Sequence, residues 1–244
     1  MYENIRVALL NDSFPPLIDG VSNAVVNYAK VIQKKYGSAV VATPKYPDTD
    51  DSCFPFPVIR YRSIDTTKTV GYRAGYPFSA RAISELKKYN PQLIHTHCPM
   101  MSTWLARTLR EVIDVPIIFT YHTKFDIEIK KAIATGFLQS KAIKLMINNV
   151  EACDEVWVVS EGAADNLRSM GYRGECRVME NGVDFPQGRV PEPQSAEIRN
   201  KHKIPQDMPV FLFVGRMMWY KGIKIILDGL RLAKDCLLYT SRCV

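Results

Sequence analysis

Short apolar segments alternate along this chain with segments that have the periodicity of an amphipathic helix. The first pair shows the pattern: residues 5–10 are apolar except for Arg6, and the apolar residues between Val21 and Ile32 recur at helical spacing. A nearly continuous apolar run is typical of a strand buried on both faces, as in a parallel sheet. The alternation therefore predicts an α/β fold with a doubly wound, mostly parallel, Rossmann-like sheet.

The alternation continues beyond the first pair. Further strands are predicted at 39–43, 58–61, 92–97, 116–120, 155–159 and 176–179, and helices at 79–89, 101–112 and 161–170. The basic and aromatic residues between 60 and 76 lack the spacing of an RNA-binding sheet and are predicted to form a solvated loop face. Because the carboxyl ends of parallel strands meet at one edge of a sheet, we expect a ligand site in the loops that follow these strands.

A change of composition divides the chain. Residues 185–207 are rich in Pro, Gln, Glu and Lys, and after them an apolar run at 210–214 and helical spacing from Ile223 repeat the opening pattern. We predict a domain at 1–184, a linker at 185–207, the first strand and helix of a second Rossmann-like domain at 208–235, and a tail at 236–244 that is truncated or foreign sequence. One strand and one helix cannot enclose a core, so the second domain is expected to be truncated.

Composition argues against several classes of protein. The six cysteines include no C-x-x-C pair, which favours free thiols in a reducing, cytoplasmic compartment over a disulfide framework. No run approaches the roughly 20 apolar residues of a membrane span, and no G-x-G-x-x-G follows a strand as in a dinucleotide oxidoreductase. The formal net charge is +7, but the basic residues are dispersed, so no nucleic-acid partner is predicted.

Four short motifs follow predicted strands. They are Phe14-Pro15-Pro16 with Gly20-Val21, His95-Thr96-His97 with Thr120-Tyr121-His122-Thr123, Val159-Ser160-Glu161 with Asn181-Gly182-Val183-Asp184, and Gly215-Arg216 with Lys221-Gly222. In this order and spacing they resemble the retaining glycosyltransferases of family four, which have the GT-B fold and use sugar nucleotides. The resemblance runs from Asn4 to about Asp235. It implies that residues 1–184 are the acceptor-side domain and that the later unit begins the donor-binding domain.

The predicted catalytic residues are two cations and a histidine. Transfer of a sugar from a nucleoside diphosphate leaves negative charge on the departing phosphate, which a cation stabilises in the transition state. Arg216 can bind phosphate oxygens with its planar fork, and Lys221 adds a point charge. By family position, His122 would hydrogen-bond a hydroxyl of the transferred sugar or shuttle charge. The alternatives are two solvated cations beside a turn and a histidine of the core.

Two further candidates for substrate binding lie in the first loop. In the family, the backbone at the position of Gly20 approaches the donor diphosphate or sugar from across the cleft. Asp19 stands where many members have a second glycine, which leaves the neighbouring contact open. The alternative for Gly20 is a turn that only begins the helix.

The remaining candidates for substrate binding follow later strands. His97 is predicted to line the cleft wall, with His95 turned into the sheet. A metal site built on these two histidines is disfavoured because no third ligand follows at metal-site spacing. Ser160 and Glu161 follow another strand, where Glu161 either contacts the acceptor or only begins a helix.

The resemblance implies a hexosyltransferase. Its donor would be a UDP- or GDP-linked sugar, its acceptor a lipid or a glycan, and transfer would proceed with retention and without a cofactor or metal. The pair of donor-binding glutamates found in the family does not follow Lys221 here, so we expect the chain by itself to be inactive. The alternative is a non-catalytic module that binds a nucleotide sugar or phosphate.

Residues 125–150 carry a second, surface-related prediction. Apolar residues alternate there with lysines, and the helical pattern is interrupted near Gly136. Such a stretch either packs its apolar face on the sheet or lies on an anionic membrane surface and collects a lipid acceptor. The second alternative predicts peripheral contact with the inner face of a membrane.

Overall fold

The computed structural model describes residues 4–122, 125–182, 188–206, 208–215 and 221–240. The chain forms two compact units, Met1–Asp184 and Phe185–Val244. All the strands of the described residues belong to the first unit. In chain order they are β1 (Ile5–Leu10), β2 (Gly37–Pro44), β3 (Val58–Tyr61), β4 (Ser63–Ile64), β5 (Ala74–Gly75), β6 (Leu93–Thr96), β7 (Ile117–Tyr121), β8 (Glu155–Val158) and β9 (Arg177–Val178).

Helices connect most of the strands. Those of the first unit are α1 (Gly20–Lys35), α2 (Thr67–Val70), α3 (Ala80–Tyr89), α4 (Met101–Arg110), α5 (Phe125–Ala132), α6 (Gly136–Glu151) and α7 (Glu161–Ser169), and those of the second unit are α8 (Glu192–Lys201) and α9 (Ile223–Thr240). Side chains cap three of these helices at the first turn: Asp19 caps α1, Ser79 caps α3 and Ser160 caps α7. Ser160 thus ends the segment after β8 by starting α7.

Seven strands form one sheet in the order β3-β2-β1-β6-β7-β8-β9, and every neighbouring pair is parallel. The short strands β4 and β5 pair with each other in antiparallel orientation. The predicted α/β fold with a doubly wound parallel sheet is confirmed. The direction of winding reverses beside β1, because β2 and β3 lie on one side of it and β6 on the other. Open α/β sheets bind ligands outside the carboxyl ends of the strands at such a reversal.

The first strand is buried on both faces, as its apolar run predicted. Val7 and Leu9 pack with Val25 of α1, whereas Leu10 packs on the opposite face with Leu105 of α4. The exposed fraction of each of these side chains is at most 3%. The sheet is therefore held between two layers of helices, and the loops at the carboxyl ends of its strands are left for ligands.

The strand predicted at Val210–Val214 is not formed. These residues are not part of a strand, and Leu212 and Val214 are 83% and 84% exposed. A strand is stabilised by pairing with a neighbour, and the described part of the second unit contains no strand to pair with. The helix predicted from Ile223 is present as α9.

The prediction of a solvated loop face between residues 60 and 76 is wrong for Arg60. Its side chain is only 10% exposed and forms a two-bond ion pair with Asp51, at 2.7 and 2.9 Å. The guanidinium also donates to the carbonyl oxygens of Pro15, at 2.5 Å, and Pro44, at 3.3 Å. A planar group with five N–H donors can bind acceptors from several segments at once, and here it joins the loop after β1 to the ends of β2 and β3.

Residues 125–150 form two helices that break before Gly136, as predicted. One face packs in the core, where Phe125, Ile129 and Met146 are buried. The core alternative is confirmed for this face. The opposite face exposes Phe137 at 70% and other apolar and basic side chains: Ile127, Lys130, Leu138, Lys141, Lys144 and Leu145.

Two predictions about the whole chain can be checked on the described residues. Within these ranges, no helix combines the length and the apolar character that crossing a membrane requires. Cys53, Cys98, Cys153 and Cys176 are free thiols, as expected.

Candidate active site

The carboxyl edge of the sheet brings together side chains from separate motifs. His97 follows β6 and His122 follows β7, and the backbone N–H of His97 donates to the carbonyl oxygen of Leu10 at 2.9 Å. The site thus forms where the winding of the sheet reverses, because neighbouring parallel strands end at the same edge.

Three histidines are stacked at this edge. Nδ1 of His97 lies 2.9 Å from Nε2 of His122, a distance typical of a hydrogen bond. The ring centroids of His95 and His97 are 4.1 Å apart, and Tyr28 of α1 lies 5.2 and 5.6 Å from these two rings. Nε2 of His95 hydrogen-bonds Oγ1 of Thr120 at 2.7 Å. The rings of His95 and His97 are therefore each held by at least two neighbours, and the ring of His122 is held by His97.

Burial keeps these histidines uncharged. It lowers the pKa of His95 to about 3 and the pKa of His122 to about 4, and it lowers the pKa of His97 well below its ordinary value. The negative charge of Asp19 opposes the effect at His122, where it raises the pKa. Near neutral pH the three rings are hydrogen-bonding groups rather than cations. In the described ranges, no cluster of three or more His, Cys, Asp or Glu side chains could hold a metal ion.

Buried polar atoms without a hydrogen-bond partner in the described residues concentrate at the same edge. They are Oδ2 of Asp12, Oγ1 of Thr43, the hydroxyl of Tyr61, Nε2 of His97, Nδ1 of His122 and Nε1 of Trp157. All belong to residues at, or within two positions of, the carboxyl end of a strand of the parallel sheet. Since buried polar groups are nearly always paired, such a concentration is typical of a site completed by water or a ligand.

Asp12, Thr43 and Tyr61 were missed by sequence reasoning. The carboxylate of Asp12 accepts a hydrogen bond from the hydroxyl of Ser102 in α4. Burial raises the pKa of Asp12, against the opposing effect of its hydrogen bond with Ser102. The only sequence signal for a site at Asp12 was a carboxylate shortly after a buried strand, and Asp12 lies within a run of turn-forming residues.

The first loop places Asp19 and Gly20 at the start of α1. Asp19 is the N-cap, with its carboxylate bonded to the backbone N–H of Ser22 at 2.7 Å. Gly20 does not have a left-handed backbone, and a Cβ built on it would have no described atom within 4 Å. The fold therefore does not require glycine at this position, which leaves close approach of a ligand as a reason for it.

Ser160 and Glu161 lie at the exit of β8. The hydroxyl of Ser160 accepts a hydrogen bond from the backbone N–H of Ala163 at 3.2 Å, and Glu161 is the exposed first residue of α7. Both residues thus begin a helix, and the exposed carboxylate of Glu161 also remains accessible. In the second unit, Lys221 is exposed just before α9, and Arg216 lies outside the described residues.

The chain is similar in sequence to known glycosyltransferases. The sequence model described as Glycosyltransferase Family 4 matches residues 18–186. An alpha-monoglucosyldiacylglycerol synthase of Streptococcus pneumoniae is 24% identical over 232 residues, which are 91% of this chain and 51% of that protein. A GDP-mannose-dependent alpha-mannosyltransferase of Corynebacterium glutamicum is 23% identical over 235 residues, 91% of this chain and 54% of that protein. The chain spans about half the length of these curated relatives.

A solved structure supports the fold. The catalytic domain of starch synthase IV from Arabidopsis thaliana, bound to ADP and acarbose, superposes with a TM-score of 0.58. The sequences are 13% identical, and the match covers 96% of this chain and 67% of the other. At this identity the likeness concerns architecture alone, and it agrees with the predicted GT-B type of fold.

Proposed function

Because the chain belongs to glycosyltransferase family 4, we propose that its function is the transfer of a hexose from a UDP- or GDP-linked sugar to a lipid or glycan acceptor, with retention, and that these 244 residues by themselves do not complete the reaction. The nucleotide sugar is the donor substrate, and the proposal assigns no further cofactor and no metal. The proposal includes no nucleic-acid partner. The curated relatives support this range, since one is named as an alpha-monoglucosyldiacylglycerol synthase and another as a GDP-mannose-dependent alpha-mannosyltransferase.

The observation that carries the proposal is the uncharged histidine pair at the reversal of the sheet. A sugar hydroxyl both donates and accepts hydrogen bonds, and Nδ1 of His122 is a buried nitrogen without a partner in the described residues. The other unpaired polar atoms extend along the same edge from β3 to β8. A polar ligand with several hydroxyl groups would satisfy such a row.

The leaving diphosphate is assigned to Arg216 and Lys221, as the family pattern implies. Their positive charge would stabilise the charge that develops on the departing phosphate. Gly20 would allow the donor to approach the start of α1. His97 is assigned to this site because it hydrogen-bonds His122. Asp19, Ser160 and Glu161 are assigned to the border of the substrate site, and they also lie at the starts of α1 and α7.

A membrane surface is the proposed location of a lipid acceptor. The exposed face of α5 and α6 combines Phe137 and Leu138 with lysines, and Nζ of Lys141 lies 4.4 Å from the centre of the Phe137 ring. Apolar side chains enter the interface between headgroups and acyl chains, while lysines bind anionic lipid. We therefore propose a cytoplasmic enzyme that binds the inner face of the membrane peripherally.

Sugar transfer and donor binding test the proposal together. The protein, expressed from its complete reading frame, is titrated calorimetrically with UDP- and GDP-sugars and then incubated with labelled donor and lipid or glycan extracts. We expect one donor to bind and its sugar to appear on an acceptor with the donor's anomeric configuration. R216Q should retain the fold and lose at least about 100-fold in turnover, while R62Q, at an exposed arginine, is the control. Donor binding without transfer to any extract would instead identify a non-catalytic module.

A further inference from the structure

The contact between His97 and His122 leaves each ring with one nitrogen that has no described partner. Nδ1 of His97 and Nε2 of His122 face each other at 2.9 Å. The remaining nitrogens, Nε2 of His97 and Nδ1 of His122, are both buried and unpaired within the described part of the chain. The pair is therefore a short chain of two imidazoles with one open atom at each end.

Proton counting restricts the states of this pair. Two neutral imidazoles carry one N–H each, and their mutual hydrogen bond uses one of these two protons. The second proton must then lie on Nε2 of His97 or on Nδ1 of His122. If His97 donates from Nδ1, both rings are protonated at Nδ1; if His122 donates from Nε2, both are protonated at Nε2. The two rings therefore always have the same tautomer.

The ring of His97 is almost completely covered by its neighbours. Its side chain is 1% exposed, and its ring is covered by His95, Tyr28 and His122 at centroid distances of 4.1, 5.6 and 5.2 Å. Its only described hydrogen-bonding contact through the ring is with His122. The hydrogen bond with His122 is therefore the described contact through which His97 can act on a substrate.

We propose that His97 is a positioning residue, which holds Nε2 of His122 and leaves Nδ1 as the single ring nitrogen that His122 offers to a sugar hydroxyl. When a hydroxyl donates to Nδ1, both rings carry their proton on Nε2; when the hydroxyl oxygen accepts from Nδ1, both carry it on Nδ1. The pair can therefore accept a hydrogen bond from a hydroxyl or donate one to it, and it stays uncharged in both cases. This inference rests on the proposed function only for the identity of the ligand.

Nitrogen-15 NMR of the imidazole rings tests the arrangement without any enzymatic activity. The chain has four histidines, so spectra of uniformly labelled protein are simple, and H202Q assigns the exposed one. We expect His97 and His122 to show the same tautomer at neutral pH. Opposite tautomers, or a doubly protonated ring, would overturn the proposal even if sugar transfer were demonstrated.

Two substitutions at position 97 separate positioning from packing. H97N retains a polar amide close to the place of Nδ1, and H97F retains a ring but no hydrogen bond. We expect the nitrogen signals of His122 to stay close to those of the parent in H97N and to move away from them in H97F, where Nε2 of His122 has no hydrogen-bond partner at position 97. If His122 gives the same signals in H97F as in the parent, with the melting temperatures of both recorded, His97 only fills space. Failure to find a sugar donor would leave this result unaffected.

Discussion

The carboxylate of Asp19 accepts a hydrogen bond from the backbone N–H of Ser22 at 2.7 Å, and the hydroxyl of Ser22 accepts one from the backbone N–H of Asp19 at 3.0 Å. This reciprocal capping box satisfies donors that the start of a helix otherwise leaves unpaired. It also places a negative charge where the helix would attract an anion. Asp19 therefore stabilises α1, and its charge would repel a donor phosphate that approached this end of the helix.

Substitution of Asp19 should separate its cap from its charge. D19A removes both and should lower the free energy of unfolding by about 1 kcal/mol, whereas D19N keeps an efficient cap and should change it little. Urea unfolding measures both variants. D19N should also bind UDP more tightly than the parent, because the repulsion is gone. Equal destabilisation by the two variants would show that the charge, not the cap, stabilises the helix.

Replacement of Gly20 by alanine should affect ligand binding and leave the fold intact. A Cβ at this position has open space around it in the described structure, so G20A should unfold at an unchanged or slightly higher urea concentration. If the donor approaches the backbone here, its affinity should fall by at least tenfold, about 1.4 kcal/mol. G162A is the matched control, since Gly162 also lies in the first turn of a helix and has space for a Cβ. Equal donor affinity of G20A and G162A would remove the close-approach role.

Arg60 should stabilise the loops of the site more than its neighbour Arg62 does. R60K loses the two-bond pair with Asp51 and at least one of the bonds to Pro15 and Pro44, so the free energy of unfolding should fall by about 2–3 kcal/mol. R62K, at an exposed side chain, should stay within about 0.5 kcal/mol of the parent. Both values come from denaturant unfolding. Similar small effects in the two variants would mean that the contacts of Arg60 with Asp51, Pro15 and Pro44 are not formed in solution.

Acidification should destabilise the protein through the stacked histidines. Their pKa values are lowered in the folded state, so below about pH 6.5 the unfolded chain binds more protons and stability falls with falling pH. Each histidine contributes up to about 1.4 kcal/mol per pH unit, down to about pH 4 for His122 and about pH 3 for His95. The raised pKa of Asp12 acts in the opposite direction.

Variants identify the source of this pH dependence. H97N should reduce the slope of unfolding free energy against pH, measured from about pH 6.5 to about pH 5. The reduction should equal the contribution of one histidine, up to about 1.4 kcal/mol per pH unit. H202Q removes an exposed histidine of the second unit and should leave the slope as in the parent. An unchanged slope in H97N would contradict a neutral, buried His97.

The exposed face of α5 and α6 should bind anionic vesicles at low salt. Each lysine near the surface contributes about 1 kcal/mol, so K141Q should weaken binding about fivefold, and high salt should weaken it further. K87Q, which removes an exposed lysine of α3, is the control. F137S tests the apolar contribution in the same co-sedimentation assay. Failure of the parent to bind at low salt would remove the membrane proposal.

The separate parts of the candidate site differ in how far the sequence predicted them. His97, His122, Ser160 and Gly20 follow apolar runs, so the rule that parallel strands end at one edge was enough to bring their segments together. The hydrogen bond between His97 and His122 joins residues 25 positions apart, and no local pattern specifies which side chains meet. No local pattern specifies the hydrogen bonds of the Arg60 side chain either, because their acceptors come from three separate segments.

The amino-acid sequence by itself determined the α/β architecture, the direction of the strands and the loops that carry the site, because apolar periodicity and turn residues act over short distances. Tertiary structure decided which polar atoms are paired and which are left for a ligand, since pairing depends on side chains distant in sequence. It also decided that Val210–Val214 forms no strand, because a strand exists only through hydrogen bonds to a neighbour. Local patterns thus place the site, and packing gives it its chemistry.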